Sequence, residues 1–527
     1  MDKLHGLDMD ARLGRLDRRS FLKAASALGI TAALSLSTAN RVFAQTPKKG
    51  GHFRIGTGGG STTDTYDPGT YNNSVLRMIA GSVCNYLMEV DSRGEATPEL
   101  AESVETVDGL RFIIKLRKGI EFHNGKTFGP EDVIASYNHH RGEGSTSAVK
   151  GLMSQITEIK ADGPSTVVLS LSAPNADFPA ILSDYHLPIF AADGDRIDTS
   201  QMVGTGGYTI SSNEPGVRAI LQRHPNYWRE GRGNFDSAEI LVVADVVANT
   251  NALISGEVDA IEGCDVSTVD LLVKREGIKI LEVTGKQYNS MLMFTDVEPF
   301  TDNKVRLALK HAIDREAIVK SVLKGYGKVG NDNPITPSYR FYNDQLAQRV
   351  YDPDKAKFLL KQAGHDSLEV ELSTSAAAFT GAVDVAVLFK EQAAAAGINV
   401  SIKREPDDGY WANVWQKKPF IMGSMLGRAT ADWMFSTSFA SDASWNDTHW
   451  KNERFNLLLK QARSEVDDTK RKEMYFEMQQ IVHDEGGTIV HSLPSLVDAV
   501  NDKVQHGPLA SNLNLDGNRC IDRWWFA

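Results

Sequence analysis

Residues 383–403 read VDVAVLFKEQAAAAGINVSIK, and their reading decides the fold class. Val383 to Ala396 is alanine-rich with helical apolar spacing, Gly397 is a stop, and Asn399 to Lys403 follows as a strand. Phe420 to Ser424 is a further short strand, and it delivers the chain into Gly427-Arg428-Ala429-Thr430-Ala431-Asp432-Trp433-Met434-Phe435. Sheets that alternate with helices place ligands beyond the C-terminal ends of their strands, so Asp432 falls where a site is expected. Strand–helix alternation of this kind predicts an α/β sheet with helices packed on its faces.

Working outward, the same alternation recurs. Gly50 to Thr57 reads as a strand, Val75 to Met88 as a helix after the polar loop Thr65 to Asn73, and Leu110 to Arg117 as a strand. Pro130 opens a helix and Thr166 to Leu171 is a strand. Tyr208 to Ser212 and Val217 to Arg223 form a hairpin, because Pro215-Gly216 suits the centre of a type II turn. Glu239 to Val243 precedes a helix from about Val247 to Ser255, stopped by Gly256. Further helices are predicted over Asn303 to Ile313, after the caps Asp314 and Asp352-Pro353, and over Glu453 to Ser464 and Thr469 to His483. Two glycine-rich stretches imitate phosphate loops. Gly58-Gly59-Gly60 lacks the dinucleotide spacing, and Gly119 to Thr127 has five residues between its glycines where a P-loop has four.

The segment Arg404 to Trp450 holds five of the eight tryptophans: Trp411, Trp415, Trp433, Trp445 and Trp450. Rigid apolar walls with a few charged groups suit capture of a small polar ligand. The paired base and nucleophile of a catalytic centre are missing, and no residue is assigned a catalytic role. Asp432 has three readings: a helix cap, an internal partner of Arg428 or Arg404, or a contact for a ligand ammonium reinforced by tryptophan faces. The tryptophans read as core or as ligand wall.

Composition bounds the rest. A chain of 527 residues needs two or more lobes, and its 41% apolar and 24% charged content is that of a globular protein. The net charge of −11 argues against nucleic-acid binding and against anionic lipid. Cys84, Cys264 and Cys520 allow one disulfide at most and no Cys-x-x-Cys metal cage. Neither a metal site nor a resident cofactor is expected, since no zinc, nucleophile-elbow or dinucleotide motif occurs. His139-His140 reads as a solvated pair, and His449 as a packing or surface residue. Arg18-Arg19-Ser20-Phe21-Leu22-Lys23, the apolar run Ala24 to Leu36 and Val42-Phe43-Ala44 read as an export signal, too short and too weakly apolar for a membrane span.

Four further segments carry a resemblance. They are Ala96 to Ser103 with Leu116 to Gly125 and Glu131-Asp132-Val133; Val203 to Tyr208 with Asn226-Tyr227-Trp228; Ala252 to Asp259; and Val305 to Glu316. Through them the mature chain resembles, almost end to end, the family 5 extracellular solute-binding proteins of ABC importers, the dipeptide, oligopeptide and nickel-binding group. Residues 1–44 resemble a bacterial Tat signal, with Asp17 where Ser or Thr is usual, which implies a periplasmic protein.

The resemblance implies a two-lobed periplasmic binding protein of the type 2 arrangement, with an extra subdomain on the first lobe. Lobe I is assigned to residues 45–87, 208–288 and 496–527, the subdomain to 88–207, and lobe II to 289–495. A short peptide or peptide-like cationic solute would be enclosed between the lobes and passed by a monomer to a permease in the inner membrane. In peptide-binding members an aspartate matching Asp432 holds the α-ammonium. Trp433, Trp411, Tyr71 and Asn72 would wall the cavity. Dipeptide binders place an arginine for the ligand carboxylate in the region matching Ser373 to Thr380, where this chain has none, so Arg428 or Arg404 is left to supply it. An opine, an oligosaccharide and a metal chelate are alternative ligands, and a Tat-exported enzyme is the rival class.

Overall fold

The computed structural model describes residues 47–527, so the export-signal reading of residues 1–44 lies outside the described residues. The expected α/β architecture is present. One twelve-stranded sheet runs through the molecule, and a single long strand, Thr488–Asn501, joins its halves. Ser495 to Asn501 pair antiparallel with Ile278–Thr284, whereas Thr488 to Ser492 pair with Tyr288–Met293. The chain therefore crosses between halves twice, at 285–287 and at 493–494.

The first half of the sheet holds His52–Thr57 between the parallel neighbours Ser237–Val242 and Ala260–Ile261, with the hairpin Tyr208–Glu214 and Arg218–Arg223 at its edge. Gly216 takes φ +74 in that hairpin turn, and the Val217 N–H closes it on the Glu214 carbonyl at 3.0 Å. In the second half, Leu368–Thr374, the helix Ala382–Ala394 and Ile398–Arg404 make a parallel βαβ unit. Gly397 ends that helix at φ +76, where a side chain would be strained.

Of the apolar clusters among the described residues, the three largest serve here to name parts of the molecule. Phe53, Ile79, Ile240 and Trp524 belong to one, Leu309, Phe389 and Ile421 to another, and Phe112, Leu169 and Leu187 to a third. The third is built on the antiparallel sheet Ala101–Thr106, Arg111–Leu116, Thr166–Leu171 and Ile156–Ala161. Along Arg111–Leu116 residues alternate exposed and buried, as a sheet with one wet face requires. We call these parts the first lobe, the second lobe and the subdomain. Among the described residues no helix is long and apolar enough to cross a membrane.

Two expectations change, and a third question left open is answered. The helix expected from Val75 to Met88 runs only from Ser74 to Val83. Beyond it, buried Glu99 accepts hydrogen bonds from the Asn85 side chain at 2.7 Å and the Tyr86 N–H at 2.9 Å, pulling the chain out of helix and into the strand Met88–Val90. His139-His140 is not a solvated pair: His140 is fully buried on the Ser147 hydroxyl at 2.7 Å, and His139 meets Asp67 at 2.7 Å. The three cysteines are all free thiols. The loop from Gly119 to Thr127 is a tight hairpin whose Lys126 is paired with buried Asp132 at 2.5 Å, a structural use of that lysine.

Candidate functional site

A cavity of about 680 Å³ lies between the two lobes and the subdomain. Its first wall begins with the loop before the helix Ser74–Val83. Asn73 caps that helix by accepting the Leu76 N–H, worth about 1 kcal/mol. The cap fixes Asn72 and Tyr71, both of which line the cavity, and Tyr71 is anchored through its hydroxyl to the Tyr66 carbonyl at 3.1 Å. One turn into the helix, Arg77 donates through Nε to Asn518 Oδ1 at 2.9 Å and lies over the Tyr185 ring at 5.2 Å.

Asn518 belongs to a left-handed turn, Leu515 φ 48, Asp516 φ 60, Gly517 φ 71 and Asn518 φ 58. Non-glycine residues adopt this conformation at a cost. Here Asp498 overrides it, accepting the Leu515 N–H at 2.6 Å, the Asn514 amide at 2.7 Å and the Gly263 N–H at 2.9 Å. Burial nevertheless pushes the Asp498 carboxyl up to about 6.

Two acids at the base of the cleft are already satisfied. Glu89 is ringed by Arg229, Arg232 and Arg523, and Glu99 by Arg229 and Arg519. Burial opposes the charge of Glu89, but Arg232, Arg229 and Arg523 hold its carboxyl well below the usual range. This network ties the C-terminal segment to the subdomain. Among the lining carboxylates Asp184 differs, because among the described residues its side chain meets only a histidine, His186, with Nδ1 at 2.7 Å.

The opposite wall comes from the second lobe. The strand Phe420–Met425 leads into Gly427 to Thr430, and Thr430 caps the helix Ala431–Ser438 by accepting the Trp433 N–H at 3.1 Å. Arg428, Trp433 and Trp445 face the cavity. The Arg428 guanidinium lies over Trp445 at 5.4 Å, and its N–H groups reach only the Leu426 carbonyl at 3.4 Å and Met425 Sδ at 3.7 Å.

Of the residues named from sequence, the structure thus gathers Tyr71, Asn72, Arg428 and Trp433 around one cavity. Asp432 is not part of its lining. It is 7% exposed and is held by Arg463 Nε at 3.1 and 3.2 Å, so its internal partner is neither Arg428 nor Arg404. Burial and nearby Asp177 push its carboxyl up, and Arg463 opposes them. Trp411 packs on Trp415 with 42% of its surface exposed, and exposed Arg404 ends its strand; neither lines the cavity. His449 stacks on Phe294 at 4.0 Å and meets Asp296 at 2.9 Å, a packing role. Sequence reading missed Arg77, Asp184, Tyr185, Lys286 and the C-terminal turn. No local pattern marks them, since they converge only through the topology. Trp445 stood inside the tryptophan-rich segment, where its clustering was the available signal.

Comparison with known proteins gives the family of the chain. The family model for bacterial extracellular solute-binding proteins, family 5 Middle, matches residues 95–447. The chain is 26% identical over 451 residues to the dipeptide-binding protein of Escherichia coli (strain K12), covering 78% of this chain and 83% of that one. It is also 26% identical over 457 residues to the glutathione-binding protein GsiB of the same organism, covering 84% and 89%. In fold it is similar to HbpA2 from Haemophilus parasuis, with a TM-score of 0.78 at 22% identity over 89% of this chain and 99% of that one. The chain belongs to the bacterial extracellular solute-binding proteins of family 5.

Proposed function

We propose that this protein is the substrate-binding component of an ABC importer and that its solute is a short peptide or peptide-like molecule held by its carboxylate. The single observation that carries the solute class is the pair Arg77 and Arg428. They reach one cavity from the first and second lobes, each over an aromatic ring, and among the described residues neither has a carboxylate within ion-pair distance. Burial pushes the Tyr185 hydroxyl up, and the charges of both guanidiniums oppose that push. Two cations without a carboxylate partner on the lining of one cavity oppose closure of an empty cleft, and a carboxylate between them reverses the sign. Arginine suits this role because its planar fork donates two parallel N–H bonds to one carboxylate.

Among the described residues Asp184 then offers the one cavity acid without a lysine or arginine partner, the place for a peptide ammonium. The positive group expected at Asp432 moves accordingly to Asp184. The relatives named above bind dipeptide and glutathione, both carboxylate-bearing. Transport itself involves no chemistry: solute selects the closed state by touching both lobes, and the crossings at 285–287 and 493–494 supply the hinge. Export through the Tat pathway to the periplasm, suggested by Arg18-Arg19, belongs to the same reading.

The test is calorimetry with a free-acid tripeptide mixture. Arg428→Ala and Arg77→Ala should each weaken binding by about 30-fold, or ~2 kcal/mol, as for loss of one partner of a desolvated charge pair. Unchanged affinity in both variants would remove the carboxylate from the account.

A further inference from the structure

Lys286 sits on the first of the two crossings, between the strands Ile278–Thr284 and Tyr288–Met293. It is 6% exposed and lines the cavity. Its Nζ donates to the Gly94 carbonyl of the subdomain at 3.2 Å and to the Ala429 carbonyl of the second lobe at 2.7 Å. The ammonium also lies over the Tyr339 ring at 4.8 Å. Among the described residues no carboxylate comes within 4.0 Å of it, and two acceptors leave one of its three N–H groups unused.

The surroundings are shaped for this side chain. A Cβ on Gly427 would stand 2.4 Å from Lys286 Cβ, and one on Gly94 would stand 3.4 Å from Lys286 Cε and 2.5 Å from the Ser338 carbonyl oxygen. Both glycines leave the lane through which the lysine reaches the cleft. A buried ammonium bound only to neutral acceptors is poorly compensated for its lost hydration, so an alkyl side chain would fill the same lane at lower cost.

We propose that Lys286 couples solute recognition to lobe closure: its ammonium staples a carbonyl from each side of the cleft and gives its third N–H to a carboxylate oxygen of the solute. This rests on the carboxylate reading above. Because Ala429 follows Arg428 directly, the staple also fixes the strap that carries that guanidinium. The ionisable groups facing Lys286 are Asp177 and Asp91, which favour its charge, Tyr339, and Arg428 on the strap. Burial outweighs the two acids and brings the ammonium down to about 8. A carboxylate arriving at the free N–H raises that value, so binding just above it takes up a proton.

The experiment uses the mature protein, an equimolar library of free-acid tripeptides and the same library amidated at the C-terminus, with calorimetry at about pH 8.5 in buffers of different ionisation enthalpy. The free-acid library should bind with a buffer-dependent enthalpy that reports proton uptake. Lys286→Met should weaken it about tenfold or more, and Lys286→Arg should keep most of the affinity while losing the proton uptake. Absence of uptake in the unmodified protein, uptake that persists in Lys286→Arg, or undiminished binding by Lys286→Met each overturns the role of Lys286. Equal binding of the amidated library, or no binding of either, overturns instead the carboxylate reading beneath it.

Discussion

Arg428 and Asp432 stand four residues apart, yet only the first faces the cavity. Asp432 turns to Arg463, which is itself 39% exposed. Asp432→Asn should therefore leave solute affinity within about twofold and lower unfolding free energy by about 1 kcal/mol, less than a fully buried pair would lose. Calorimetry and urea unfolding separate the two effects, and a large affinity loss with intact stability would return the acid to the site. Asp447 offers a pH test. It is 6% exposed, and burial pushes its carboxyl up to about 7, with the Trp415 side chain only partly opposing. Between its ordinary value near 4 and about 7 the folded protein holds a proton that the unfolded chain has lost. Stability contributed by this group is thus present at low pH and is lost as pH rises through that window. Asp447→Asn should flatten the stability profile between about pH 4 and 7, measured by thermal unfolding.

At the scale of elements, what local residues dictate was legible and what distant ones impose was not. The helix Glu453–Ser464 and the cap of Asp314 on Ala317 follow from caps, stops and apolar spacing within a few residues. The early end of Ser74–Val83 does not, because Glu99 ends it from the bend between the strands Ala96–Pro98 and Ala101–Thr106. The left-handed turn at Leu515 to Asn518 was equally hidden: Asp498, on the long central strand, stabilises a conformation those residues do not prefer. Its function is to hold Asn518 against Arg77, 441 residues away in sequence. Asn518→Ala should weaken solute binding several-fold, less than Arg77→Ala, because the guanidinium keeps its charge and loses only its anchor. Equal losses in the two variants would mean that the turn does more than orient Arg77.

The whole molecule adds a contact remote from the hinge. Asp177 of the subdomain accepts from Arg471 of the second lobe at 2.5 Å, with Arg471 only 2% exposed, and the Ala176 N–H meets the Arg463 carbonyl at 2.8 Å. These bonds join the subdomain to the second lobe, so an opening motion that parts the two would have to break them. Asp177→Asn should raise the solute off-rate about tenfold with little change in on-rate, read by fluorescence of Trp433 and Trp445 in the cavity wall. At this scale the two-lobed class was legible through family segments from Ala96 to Glu316. The composition of the cavity was not, because Arg77, Lys286 and Arg428 belong to three separate stretches that meet only when the sheet is assembled. In the proposed function these cations receive a carboxylate. That role is tested most directly by native mass spectrometry of the protein purified from its export compartment, with the co-purified species identified by fragmentation. The expected species is a small solute bearing a free carboxylate that is missing from the Arg77→Ala/Arg428→Ala double variant. A co-purified solute without a carboxylate, or one retained by the double variant, would contradict that role.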